Sequence, residues 1–263
     1  MIVRNKSPDN YVLISVMKKL LLGCLILITA CQPATPTPEP SFFPASTLPA
    51  TPSPLPATVT PGPTFTPAPS ATPFPRLFTN EFDSSLEGWA ILLAGSDAIP
   101  NVKTENSSLV LEMDAPFTWL YALYGPQDYS NVRVDTQFTN RALTPSSVGL
   151  ICRYSEEQGW FEYNVSADGT YNVLYGKWLS VGVVDYLPIT SGSSKEILPS
   201  GATQKIGLTC SNTTLRLYIS DVLLRQVDVS RYELTEGKVG MNASAYESTP
   251  IVVGFDWVMV SEP

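Results

Sequence analysis

The sequence predicts an all-β protein: a two-sheet antiparallel β-sandwich over residues 77–263, carried behind a stalk that cannot build a core. Three observations predict it. From residue 77 onward, apolar residues recur at every second position in segment after segment, with turn residues between them. No segment shows a convincing 3.6-residue apolar period of an amphipathic helix. Ahead of residue 77 the chain is dominated by proline, threonine, alanine and serine, which sustain neither helix nor sheet.

The strands follow in order. Leu109, Leu111 and Met113 alternate with Val110 and Glu112. Val132, Val134, Thr136 and Phe138 alternate with Arg133, Asp135 and Gln137. Phe161, Tyr163 and Val165 point one way, and Trp160, Glu162 and Asn164 the other. The turn Ala167-Asp168-Gly169 then leads to Tyr171, Val173 and Tyr175, so these two strands read as a hairpin. Leu215, Leu217 and Ile219 alternate with Arg216 and Tyr218. The last strand is expected to set Ile251, Val253, Phe255, Trp257 and Met259 on one face, and Trp89 and Trp257 are expected in the core. About ten to twelve strands at close spacing suit a sandwich large enough to fold without a metal.

Residues 32–75 hold 15 of the 24 prolines in the chain. Polyproline II stretches mixed with disorder are expected, reaching on the order of 130 Å at full extension. Ahead of the stalk, Met17-Lys18-Lys19 precedes an apolar run from Leu20 to Ile28 and then Thr29-Ala30-Cys31. That is a positive n-region, a short h-region and small residues at a cut site, and the run is too short to span a bilayer. Ile28-Thr29-Ala30-Cys31 resembles the lipobox of bacterial lipoproteins. The resemblance implies a lipid on the Cys31 thiol, cleavage after Ala30, and a lipid bilayer as partner. Residues 1–30 are thus expected to be a signal peptide, with Met17 as the more natural start. Residues 31–76 are expected to be the lipidated cysteine and linker, and the protein is expected to be extracytoplasmic and lipid-anchored to the cell membrane with its domain facing outward.

Four cysteines are present. Cys24 would leave with the signal and Cys31 would be lipidated, so 4 − 2 = 2 remain, Cys152 and Cys210. In an oxidising compartment this even pair is a disulfide candidate, the alternative being two buried thiols. Both alternate in phase with apolar neighbours. The chain contains no histidine, which excludes Ser-His-Asp and Cys-His catalysis. Residues 77–263 carry 11 Lys and Arg against 22 Asp and Glu, so 11 − 22 = −11. Such a domain repels phosphate backbones, which argues against nucleic acid as a partner.

Several short motifs then carry a family resemblance. They are Phe82-Asp83-Ser84-Ser85-Leu86-Glu87-Gly88-Trp89, Gly149-Leu150-Ile151-Cys152-Arg153-Tyr154, Gly159-Trp160-Phe161-Glu162-Tyr163 and Asp168-Gly169. Further on come Leu215-Arg216-Leu217-Tyr218-Ile219-Ser220-Asp221, Gly237-Lys238-Val239-Gly240 and Phe255-Asp256-Trp257-Val258. Their order resembles the concanavalin A-like lectin/glucanase superfamily, and most of all its laminin G-like and 3-keto-disaccharide-hydrolase-like domains. This implies a jelly-roll sandwich and a role with sugars. One departure is Ser220-Asp221, where relatives usually carry Asn-Gly; Asp still tolerates such a turn.

Glucanases of this superfamily carry Glu-x-Asp-x-x-Glu, whose carboxylates act about 5 Å apart. That motif is absent, and no catalytic residue is assigned. Asp135 and Glu162 are the carboxylates that alternation places on sheet faces. Aromatic residues are dense between Trp119 and Trp178, and sugars stack their C–H faces on such rings. Trp160 is the first candidate for an exposed glycan-stacking ring and Trp178 the second, with Arg153, Glu162, Asn164 and Asn172 as polar contacts. Asp83 and Asp256, near the two ends of the domain, are the candidates for a structural calcium, although calcium needs six to eight oxygens. The leading reading is a surface glycan-binding or adhesion module whose partner is an extracellular or cell-wall glycan. A carbohydrate-active hydrolase and a protein-interaction domain without a small ligand are the alternatives.

Overall fold

The computed structural model describes residues 73–141 and 146–263. The export signal, Cys31 and the Pro/Thr-rich stalk as far as residue 72 lie outside the described residues. The last linker residues, 73–76, are described and already touch the sandwich. The Pro75 and Arg76 carbonyls accept from the Tyr124 and Tyr129 hydroxyls at 2.9 and 2.6 Å, so the ordered domain begins slightly before the expected residue 77. The first strands are β1 (Phe78–Asn80), β2 (Trp89–Gly95), β3 (Asn101–Thr104), β4 (Leu109–Met113) and β5 (Thr118–Tyr129). Next come β6 (Val132–Asn140), β7 (Ser146–Ser155), β8 (Gly159–Ser166), β9 (Thr170–Ser180) and β10 (Val183–Ser193). The chain closes with β11 (Thr203–Ser211), β12 (Thr214–Ile219), β13 (Val222–Asp228), β14 (Gly237–Ala245) and β15 (Ile251–Ser261). Pairing is antiparallel throughout these strands. The first sheet runs β13-β12-β11-β6-β15-β4-β3, with β1 also on β15, and the second runs β10-β9-β8-β7-β14-β5-β2. This is the two-sheet sandwich that the alternation predicts. The extra strands relative to the expected ten to twelve include β1 and β3, too short to show a period.

The inner faces interlock. Val134, Leu208, Leu217 and Phe255 of the first sheet share one buried cluster with Leu120, Leu150, Tyr163 and Met241 of the second. Cys152 on β7 and Cys210 on β11 form a disulfide across that core, with their Cα atoms 6.6 Å apart. The turn between β12 and β13 puts Ser220 and Asp221 at φ of 48° and 65°, the hairpin geometry that Asn-Gly adopts most readily. Here the Asp221 carboxylate accepts hydrogen bonds from Lys205 Nζ at 2.6 Å and Arg133 Nη2 at 3.1 Å, which helps to hold the turn.

The final strand corrects one expectation. Ile251, Val253 and Phe255 face the core, but a bulge between Phe255 and Trp257 advances the phase by one residue. Val258 and Val260 are therefore buried, while Trp257 and Met259 turn outward. Trp257 lies half-buried on the outer face, beneath the Lys205 ammonium 5.6 Å from its ring centre. Trp89 does pack against the core, near Phe82 and Tyr124.

Candidate functional site

The outer face of the second sheet carries the polar chemistry. Alternation along β8 turns Phe161, Tyr163 and Val165 into the core and Trp160, Glu162 and Asn164 away from it. Register then lines up one row across five strands: Asn172, Asn164, Gly149, Asn242 and Tyr121. Gly149 is required in that row. A Cβ there would sit 2.2 Å from Asn164 Oδ1 and 2.5 Å from Asn242 Oδ1.

Glu162 is the hub, and it is 1% exposed. Its Oε1 accepts from Asn164 Nδ2 at 2.8 Å and Asn242 Nδ2 at 2.9 Å. Its Oε2 accepts from Trp160 Nε1 at 3.0 Å and the Tyr186 hydroxyl at 3.2 Å. With Tyr186 donating to the carboxylate, Tyr121 donates in turn to Tyr186. Burial pushes the Glu162 carboxyl above the usual carboxylate range, and the four donors only partly offset it. Burial, reinforced by the Glu162 charge, likewise holds Tyr121 and Tyr186 well above the usual phenol range. Asn242 Oδ1 is buried with no hydrogen-bond partner among the described residues.

A second apolar cluster covers this hub. β9 pairs with β8 from Tyr171 to Gly176, and beyond that ladder the tip of the β9–β10 hairpin reaches over the sheet face. Gly176 lies opposite Trp160 in that ladder and leaves room for its ring, since a Cβ there would lie 2.6 Å from it. At the hairpin tip the Gly182 carbonyl accepts from Gly95 N–H on the opposite edge strand β2, at 2.9 Å. Trp160 is enclosed by Tyr154, Trp178, Tyr121 and Tyr186, at ring-centre distances of 5.3, 5.4, 5.6 and 6.3 Å.

Trp160 is thus fully buried, not the exposed ring expected of it. Its outward phase was legible, but the hairpin above it was not. Glu162 and Asn164 are buried with it, and Asn172 is half-buried, its Oδ1 accepting from Asn164 Nδ2 at 3.1 Å. Arg153 stands apart from this group. It lies at a bulge with φ of 53°, is buried, and donates to the carbonyls of Ser130 and Leu234. It clamps two loops, and no carboxylate is among its hydrogen-bond partners. Asp135 and Glu162 lie on different sheets. Arg133 Nε and Nη2 each bond Asp135 at 2.8 Å, and the four groups that bond Glu162 are neutral. These two carboxylates form no glycosidase pair.

Among the described residues, no group of three or more Asp, Glu, His or Cys side chains is placed to hold a metal. Asp83 is exposed, and Asp256 accepts from Gln137 Nε2 at 2.9 Å and Ser108 Oγ at 3.3 Å. The two aspartates therefore do not fit the calcium site proposed for them. Tyr121, Tyr154, Tyr186 and Asn242 were not singled out as a group from the sequence. Asn242 does share its phase with Gly240 and Ser244, a non-apolar alternation that marks an outer face.

What stays open is a cleft of about 480 Å³ between the hairpin tip and β2. Its walls include Leu92, Tyr154, Trp178, Leu179 and Val181, with Glu156 at its edge. Trp178 is half-buried there, and its indole N–H donates to the Tyr154 hydroxyl at 2.9 Å, which fixes both rings.

By sequence, no protein-family model and no curated protein matches the chain. By structure, it is similar to a Bacillus subtilis protein of unknown function with a galectin-like fold. The TM-score is 0.53 at 14% identity, over 70% of this chain and 94% of the other. It is similar to a Bacillus licheniformis β-glucanase, with TM-score 0.52 and 13% identity over 71% and 98%. A prokaryotic β-1,3-1,4-glucanase (lichenase) derived from a mouse hindgut metagenome gives 0.52 and 9% over 71% and 99%. These likenesses show the fold alone, a two-sheet antiparallel β-sandwich.

Proposed function

We propose that the protein is a surface-tethered glycan-binding module, and that its sugar site is the cleft beside Trp178. One observation carries this reading: an open cleft whose wall presents an indole and a phenol ring in fixed orientation. A pyranose offers a flat C–H face to such rings, and burying that face against aromatic carbon is favourable without ordering any flexible side chain. The fold supports the reading, because structures of similar fold include β-glucanases. The sequence supplies the tether, with Cys31 as the lipid-bearing residue and the Pro/Thr-rich segment as spacer.

Glycan-array binding of the purified protein tests the site. Wild-type protein is expected to bind a subset of glycans. Trp178→Ala should weaken that binding at least about tenfold while leaving the circular dichroism spectrum unchanged. An array on which the wild type binds nothing, or binding that Trp178→Ala leaves intact, would rule out this site. For the tether, Cys31→Ala is expected to move the protein from the membrane fraction to the soluble fraction. If the variant stays with the membranes, the lipid is not the anchor.

A further inference from the structure

The charge around the cleft narrows the class of sugar. The proposal that follows rests on the glycan-binding reading of the same cleft. Among the residues lining it, Glu156 is the one that bears a charge. Glu156 is exposed, two residues from Tyr154 in the chain, and lines the same cleft as Trp178. A second depression of about 410 Å³ adjoins the first and shares Tyr154 and Glu156 with it. The second depression adds Asp128, Glu157 and Glu236 against one cation, Lys238. Lys238 Nζ is held by Asp128 at 2.9 Å. Four carboxylates against one ammonium leave 4 − 1 = 3 negative charges in excess along the continuation of the groove. The whole domain adds a field of the same sign, at 11 − 22 = −11. An anionic sugar would enter against that field with no free cation lining either depression to receive it.

We infer that the cleft selects saccharides bearing protonated amines, oligomers of a hexosamine with free amino groups, over neutral and anionic ones. Three features of the cleft act together on such a ligand. The sugar ring stacks on Trp178. An ammonium near the faces of Trp178 and Tyr154 is attracted by their ring quadrupoles. Glu156 then supplies a counter-charge at the groove edge, and the adjoining carboxylates meet the next amine along the chain. Neither aromatic rings without carboxylates nor carboxylates without rings would give this preference; the cleft has both at one opening.

The experiment compares four probes on the full-length protein in mildly acidic buffer: a β-1,4-linked glucosamine hexamer, its fully N-acetylated counterpart, a β-1,4-linked glucose hexamer, and hexalysine. The expected result is that the glucosamine hexamer binds several-fold tighter than either uncharged hexamer. Glu156→Gln, a change at an exposed site, should reduce that binding about fivefold, the upper end of what one exposed ion pair contributes, and reduce the binding of the uncharged hexamers by a smaller factor. Trp178→Ala should reduce it at least about tenfold. Hexalysine distinguishes the cleft from the general acidic field. If it binds as tightly as the glucosamine hexamer, and Trp178→Ala changes neither, the inference is overturned. If the uncharged hexamers bind as well as the glucosamine hexamer and lose binding in Trp178→Ala, the amine preference is wrong while the glycan site stands. If no hexamer binds, the amine preference is overturned, and the glycan array then decides whether the site itself fails with it.

Discussion

Trp160→Ala is expected to destabilise the folded protein by about 3–5 kcal/mol, the usual cost of truncating a buried Trp or Phe. The ring sits between Tyr121, Tyr154, Trp178 and Tyr186, so its removal opens a cavity inside the second cluster. It also takes away one of four donors to Glu162 and leaves that buried carboxylate less well satisfied. In a domain of this size the melting temperature should fall on the order of 10 °C. Urea unfolding of wild type and variant checks the energy. A loss below about 0.5 kcal/mol is what a surface position would give, and it would mean that the hairpin does not cover Trp160 in solution.

The second large effect is expected at the disulfide. Cys152 and Cys210 are 58 residues apart in sequence and join the two sheets through the core. On the chain-entropy model, closing a loop of that length stabilises the fold by about 4 kcal/mol. Replacing both cysteines by alanine should lower the urea midpoint by the corresponding amount, and a thiol reductant should bring the wild type to nearly the same place. A midpoint that neither treatment moves would show that the bond does not form in the protein as produced.

The strands were legible because period-two alternation is a direct imprint of burying one sheet face. That held for Phe161-Tyr163-Val165 and for Leu215-Leu217-Ile219. It failed within the last strand, where a single bulge reversed the phase and sent Trp257 outward. Alternation assumes an unbroken ladder, and a bulge has no reliable apolar signature. The disulfide was legible because two cysteines remained and both shared phase with apolar neighbours. The candidate site was legible in part. Alternation correctly sent Trp160, Glu162 and Asn164 to the face away from the core. It could not say what lies over that face, because the cover comes from the tip of a hairpin reaching over the sheet to Gly95 on the far edge strand, a tertiary contact with no local signature. For the same reason Tyr186 and Asn242, which reach Glu162 from 24 and 80 residues away, carried no local sign of their partnership. Trp178, the second candidate, is the ring that faces the open cleft.

The bond from Gly95 to Gly182 has a further consequence, for self-association. An open sheet ends in two strands with unpaired amides and carbonyls, and such edges can template pairing with another copy of the chain. In the second sheet these edges are β2 and β10, and the hairpin tip brings them into contact with each other. Along β10, Pro188 lacks an amide hydrogen, a register shift interrupts the ladder between Pro188 and Thr190, and the exposed Asp185 adds a charge. Together these leave little straight, uncharged edge for a neighbouring molecule to extend. A lipid tether would crowd many copies onto one membrane surface, the setting in which strand-to-strand aggregation would otherwise be favoured by local concentration.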